Sequence, residues 1–170
     1  DALAPVKSAY DEIIKDKKAL EVLYKQGAEK AEYVARKTYF KAMKKVAGSL
    51  KLLYSQYREL QGFAQFGSDL DKDTMARLEQ GKRIVEVLKQ KRNSPIDVSL
   101  QIAIIYAVVN NLLADVPTEK ISAFETELFE HLTATRADLL DAIKSSSVLS
   151  PESEAELKET ILACKAKFLA

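Results

Sequence analysis

Few residues in this chain are of a type that could do chemistry. There is one histidine, His131, and one cysteine, Cys164. Together they cannot build a His/Cys zinc cage or a four-cysteine site, and an internal disulfide is excluded. A nucleophile activated by histidine would have to work through His131 alone. Its helical surroundings make it a residue of the core edge, and they make Cys164 a small apolar residue. Asp69, Asp71 and Asp73 have the spacing that opens a calcium loop. Counting Asp69 as the first ligand, the sixth position is Thr74 where a glycine is needed. The twelfth is Gln80 where a glutamate is needed. The triplet therefore reads as an acidic helix start, matched to the positive end of the helix dipole. The 5 glycines are scattered, so no glycine-rich loop can cradle a phosphate. Lys44-Lys45 and the run Lys89–Arg92 are short cationic clusters at helix ends, solvated rather than ligand-binding. Tyr24, Tyr33, Tyr39, Tyr54 and Tyr57 fall at helical positions, where packing accounts for them better than base stacking does. No catalytic, cofactor-binding or metal-binding residue is expected.

The elements that carry these residues are helices. Of 170 residues, 47% are hydrophobic and 30% charged, which suits one folded domain with or without an appendage. Only 5 Gly and 4 Pro punctuate a chain rich in strong helix formers, and no segment alternates like a strand. Pro5 opens a short helix to about Asp16, with Val6, Tyr10, Ile13 and Ile14 as its stripe. After a turn at Asp16–Lys18 a long stripe runs Leu20, Leu23, Gly27, Ala31, Val34, Thr38, Ala42, Val46, Leu50, Leu53, Tyr57, Leu60, Ala64. It predicts one helix from about Lys18 to Phe66, roughly 70 Å long and continuous through Gly48. Gly67-Ser68-Asp69 ends it, and Asp69 or Asp71 caps a helix from Lys72 to about Gln90, with Met75, Leu78, Ile84, Val85 and Leu88 inward. Asp97 caps Val98–Asn110, expected to be the most buried element. Thr118 caps a helix to about Thr133, with Ile121, Phe124, Leu128 and Phe129 inward. Thr135 caps a helix to about Ser145. Ser150-Pro151 opens the last helix, to about Phe168, with Leu157, Ile161, Leu162 and Phe168 inward. The predicted fold is all-α: a helical bundle of about residues 50–170, with a long N-terminal helix carrying a helical hairpin.

Charge and hydropathy narrow the function classes. Lys plus Arg is 26 and Asp plus Glu is 25, which does not suit a strongly cationic nucleic-acid clamp. Residues 1–47 hold 11 Lys/Arg against 7 Asp/Glu, net +4; residues 48–170 hold 15 against 18, net −3. The longest apolar run, Ile102–Val109, is far short of the ~20 residues of a membrane span, so no membrane insertion is expected. The first 30 residues lack a signal peptide's apolar stretch, and a lone cysteine fits a reducing compartment. A cytoplasmic location is expected.

Several stretches are specific. Lys41-Ala-Met-Lys-Lys-Val-Ala-Gly48, Gln56-Tyr-Arg-Glu-Leu60, Phe63-Ala-Gln-Phe-Gly-Ser-Asp-Leu-Asp71, Val85-Glu-Val-Leu-Lys-Gln90 and Ser94-Pro-Ile-Asp-Val98 stand in order. With them, residues from about 41 to 170 resemble the C-terminal helical domain of the F-type ATP synthase alpha subunit. Asn110–Ala114 departs from the Gly-containing turn common there. The first 47 residues do not share this resemblance. Leu3-Ala-Pro5, Tyr10-Asp-Glu12, Gly27-Ala-Glu-Lys-Ala31 and Val34-Ala-Arg-Lys-Thr38 look instead like the C-terminal end of bacterial tryptophanyl-tRNA synthetase. Lys44–Gly48 suits both families, and a splice there keeps helical phase. The two resemblances imply an engineered chimera of two segments, 1–47 and 48–170.

The resemblance also implies what the chain lacks. The alpha subunit's phosphate-binding loop lies far upstream of the matching stretch, its arginine finger just upstream of Lys41, and the synthetase's nucleotide signatures are missing. A non-catalytic scaffold or interaction module is implied, with rotor or neighbouring subunits as the parent's partners and a membrane-peripheral position on the cytoplasmic face. Gly67–Thr74 corresponds by resemblance to the beta subunit's acidic, rotor-facing loop, which makes Phe66, Asp69, Asp71 and Asp73 the candidate partner contacts. Self-association through the N-terminal helices is a further expectation. The alternative is a weak tRNA-contacting module from the synthetase-like segment; four net charges give only salt-sensitive binding, so nucleic acid is not the expected partner.

Overall fold

The computed structural model describes residues 5–7, 10, 21–30, 41–64 and 71–170. The chain divides into two units, Asp1–Tyr39 and Phe40–Ala170. In the first unit residues 5–7, 10 and 21–30 are helical. Val6, Tyr10, Val22, Leu23 and Tyr24 are exposed there. Residues 11–20 and 31–40, which include the expected turn at Asp16–Lys18 and the stripe positions Leu20, Ala31, Val34 and Thr38, lie outside the described residues.

The second unit is a bundle of α1 (Lys41–Ala64), α2 (Lys72–Val87), α3 (Val98–Val109), a 3-10 turn Thr118–Lys120, α4 (Ile121–Thr135), α5 (Ala137–Ser146) and α6 (Pro151–Leu169). No strand occurs among the described residues, and the all-α expectation holds. The core runs through every helix: Ala42, Val46 and Leu50 of α1, Ile84 of α2, Ile102 to Val108 of α3 less Ile105, Phe124 and Leu128 of α4, Ile143 of α5, Leu157 and Ile161 of α6. As the composition of Val98–Val109 predicts, α3 is the most enclosed, with seven of its twelve residues buried.

Local chemistry explains the element boundaries. Asp97 Oδ1 accepts from the Ser99 N–H at 3.0 Å and its hydroxyl at 2.7 Å, which starts α3. Ser150 Oγ accepts from Ser153 N–H at 3.1 Å, with Pro151 following at the first helical position. Asn93, Asn111 and Ser147 hold φ near +55° and turn the chain after α2, α3 and α5. Asn111 takes the left-handed conformation that glycine adopts most cheaply, which is how the sequence tolerates asparagine in this turn. The Ala42 N–H donates to Ser147 O at 2.9 Å and ties α1 to the end of α5. Ion pairs Lys45–Glu154 (2.6 Å), Lys144–Asp97 (2.9 Å) and Lys165–Asp115 (2.7 Å) join elements at the surface, each worth about 0–1 kcal/mol.

The stripe of α1 is as the sequence predicts: Ala42, Val46, Leu50 and Tyr57 are buried, and Leu53, Leu60 and Ala64 half-buried. Other expectations need correction. Met75 is 55% exposed, because α2 meets the core only from Gly81 inward. Leu88 is exposed because α2 stops at Val87 rather than near Gln90, and the chain leaves the core for the Asn93 turn. Leu162 is exposed, since Ile161 and Cys164 take the inward positions of that turn. Thr118 is no cap; it lies within the 3-10 turn that precedes α4. Thr135 is no cap either. It ends α4 with its hydroxyl donating to His131 O at 2.7 Å, and Arg136 alone joins α4 to α5.

Helix α1 passes through Gly48 without a break. No glycine among the described residues has positive φ, and a Cβ added at Gly48 meets nothing within 4 Å. Gly48→Ala is therefore expected to be neutral or stabilising by up to about 1 kcal/mol in a urea melt. A clear loss with unchanged m-value would contradict the helical junction.

Candidate partner-contact surface

The acidic candidates sit at the outer end of the α1–α2 hairpin. Asp71 caps α2: its Oδ1 accepts from Thr74 N–H and its Oδ2 from the Thr74 hydroxyl, both at 2.8 Å. These bonds to its charged form, the backbone one foremost, hold its carboxyl below the ordinary aspartate range. Asp73 is exposed in the first turn of the same helix. Phe66 and Asp69 lie outside the described residues. Two ionised aspartates at one helix start, flanked by exposed Phe63 and Met75, can offer electrostatic contacts at a protein interface.

Three structural residues beneath this end did not stand out in the sequence. Tyr57 of α1 lies directly over Gly81 of α2; a Cβ on Gly81 would stand 2.6 Å from Tyr57 Cβ and closer still to its ring. Gln80 donates to the Val108 and Val109 carbonyls at 3.1 and 3.2 Å, at the end of α3. Arg83 donates to Ala114 O at 2.7 Å and Val116 O at 2.9 Å, holding the connection that follows α3. A signal existed for Gly81: a glycine one turn outward from Ile84 on the core face suggests a close approach rather than a break.

The remaining reactive types offer no chemistry. Burial pushes the Cys164 thiol up, so it is not a thiolate at neutral pH. His131 is half-buried on α4. No group of three or more His, Cys, Asp or Glu that could hold a metal occurs among the described residues, and Asp71 is occupied in capping. Glu125 is half-buried on α4, in a crevice lined by Ile96, Ile104, Ile105 and Phe129. Desolvation raises its carboxyl above the ordinary value. A raised folded value means the native state gains stability from the protonated form at low pH, and loses it as pH rises through that value. Glu125→Gln should therefore stabilise the bundle at neutral pH, by an increment that shrinks as pH falls below the carboxylate range. Urea melts at several pH values check this; a pH-independent difference would contradict it.

Fold and surface together define a class: an all-α bundle domain whose polar side chains build caps, helix ties and an acidic helix start. The family described as ATP synthase alpha/beta chain, C terminal domain, matches residues 40–164. The chain belongs to that family. It is 48% identical over 129 residues to the ATP synthase subunit alpha of Clostridium botulinum strain Eklund 17B / Type B, covering 76% of this chain and 26% of that protein. The subunits alpha of strains Alaska E43 / Type E3 and Langeland / Type F match to the same extent. The chain thus spans about a quarter of the length of these relatives. No described helix is long and apolar enough to cross a membrane.

Proposed function

We propose that this chain is a non-catalytic interaction module built on an ATP synthase alpha C-terminal domain. The carrying observation is the family match, which takes in residues 40–164 while the relatives are about four times longer than the matched stretch. The nucleotide chemistry of such a subunit belongs, on this reading, to the part that the match leaves out. The residues ahead of the match continue as a synthetase-like segment, joined within a helix as an engineered chimera, and the whole works in the cytoplasm. Its partners are neighbouring or rotor subunits of an ATP synthase, engaged through the outer end of the α1–α2 hairpin. Asp71 and Asp73 steer a basic partner surface there, with Asp69 and Phe66 beside them in sequence. Exposed Leu23 and Tyr24 support self-association through the first unit.

Surface-plasmon measurements against a purified ATP synthase rotor subunit at low salt test the reading. Asp73→Lys leaves the Asp71 cap intact and should slow association several-fold, with the difference shrinking as salt rises. Association that is absent, or indifferent to this reversal, would sink the proposed contact.

A further inference from the structure

Burial in the α1–α2 hairpin stops abruptly. Tyr57 and Gly81 are the outermost buried positions on their helices; none of residues 58–64 and 71–80 is buried, while Ala42, Val46, Leu50, Ile84 and Val87 are. Polar anchorage stops at the same level. Outside it, side-chain bonds stay within one helix end: Arg58 with Gln61, Thr74 with Asp71, Lys82 with Glu79. The first side chain of α2 to reach another element is Gln80, at the end of α3, followed by Arg83. The seat itself has room on both sides. A hollow of about 280 Å³ lies between Tyr57, Leu53, Arg77 and Ile84, and one of about 360 Å³ between Tyr57, Ala64, Met75 and Leu78. Gly81, in the middle of α2, is also that helix's weakest point by intrinsic propensity.

We propose that the outer hairpin, residues 58–64 and 71–79, opens and recloses as one unit on the Tyr57–Gly81 seat while the bundle beneath stays folded. Opening separates only half-buried contacts, chiefly Leu60, Ala64 and Leu78, and breaks no side-chain tie to the rest of the bundle among the described residues. Small apolar loss and no polar loss are what place a segment at the low-stability end of a fold. The acidic start of α2 rides on this unit, so a ligand gripping both helices would select the closed form. The inference stands on packing alone and does not depend on the identity of any partner.

Native-state hydrogen exchange on the full chain, across low urea concentrations, tests it. Amides of residues 61–64 and 75–79 should share one opening process, at least about 100-fold more frequent than that of residues 102–108 and with a shallower urea dependence. Gln80→Ala should extend the fast block inward to Gly81 and Lys82 and leave residues 102–108 slow. Outer amides that exchange with the core's frequency and urea slope would overturn the proposal. So would two helix ends that open at different frequencies, which is fraying rather than a unit, or a boundary that Gln80→Ala does not move.

Discussion

Phe124→Ala is expected to lower the unfolding free energy of the bundle by about 3–5 kcal/mol, the range for removing a fully enclosed aromatic ring. Phe124 has no exposed surface and lies among the core residues of the bundle. Its ring meets the edge of Phe168 near the end of α6, with centroids 5.4 Å apart at 73°. Truncation therefore leaves a void in a close-packed region and removes an edge-to-face pair besides. Phe63→Ala is the matched control, because Phe63 is 72% exposed and should shift stability by no more than about 0.5 kcal/mol. Urea melts of the two variants separate core from surface. A Phe124→Ala loss below about 1 kcal/mol would mean that α4 and α6 do not close on each other as described.

Gly81→Ala should also destabilise, against the helix-propensity trend. Alanine gains about 1 kcal/mol over glycine within a helix. Here the new methyl enters space held by Tyr57, whose ring and Cβ must move, and overpacking of this kind costs about 1–3 kcal/mol. The contrast with Gly48 is informative: the same substitution in open space should be neutral or favourable. A double-mutant cycle with Tyr57→Ala isolates the cause. The two changes should be markedly non-additive, with Gly81→Ala harmless or stabilising once the ring is gone. Additive losses would show that the glycine matters for some reason other than the tyrosine.

The sequence showed periodic features well and irregular ones poorly. Steps of 3 and 4 placed Ala42, Val46, Leu50 and Tyr57 on one buried face, because that spacing follows from helix geometry alone. Caps with a side-chain acceptor before an apolar run, Asp71, Asp97 and Ser150, were equally readable. Thr118 and Thr135 have the same residue chemistry, yet a 3-10 turn and a one-residue connection displaced them, and both depend on how neighbouring helices meet. Met75, Leu88 and Leu162 failed for a related reason: apolarity shows which residues would gain by burial, not how far the neighbouring helix extends to cover them. At the candidate surface, the acids of α2 were visible as residue types. The seat of Tyr57 on Gly81 and the carbonyl anchors of Gln80 and Arg83 were not, since each joins positions tens of residues apart or on separate helices.

The central claim is that this chain carries an ATP synthase alpha C-terminal domain without its nucleotide chemistry. Titration calorimetry with Mg-ATP, on the full chain at near-physiological salt, tests it most directly. The account predicts no saturable heat at micromolar to tens-of-micromolar protein. Stoichiometric binding with a micromolar dissociation constant would contradict it.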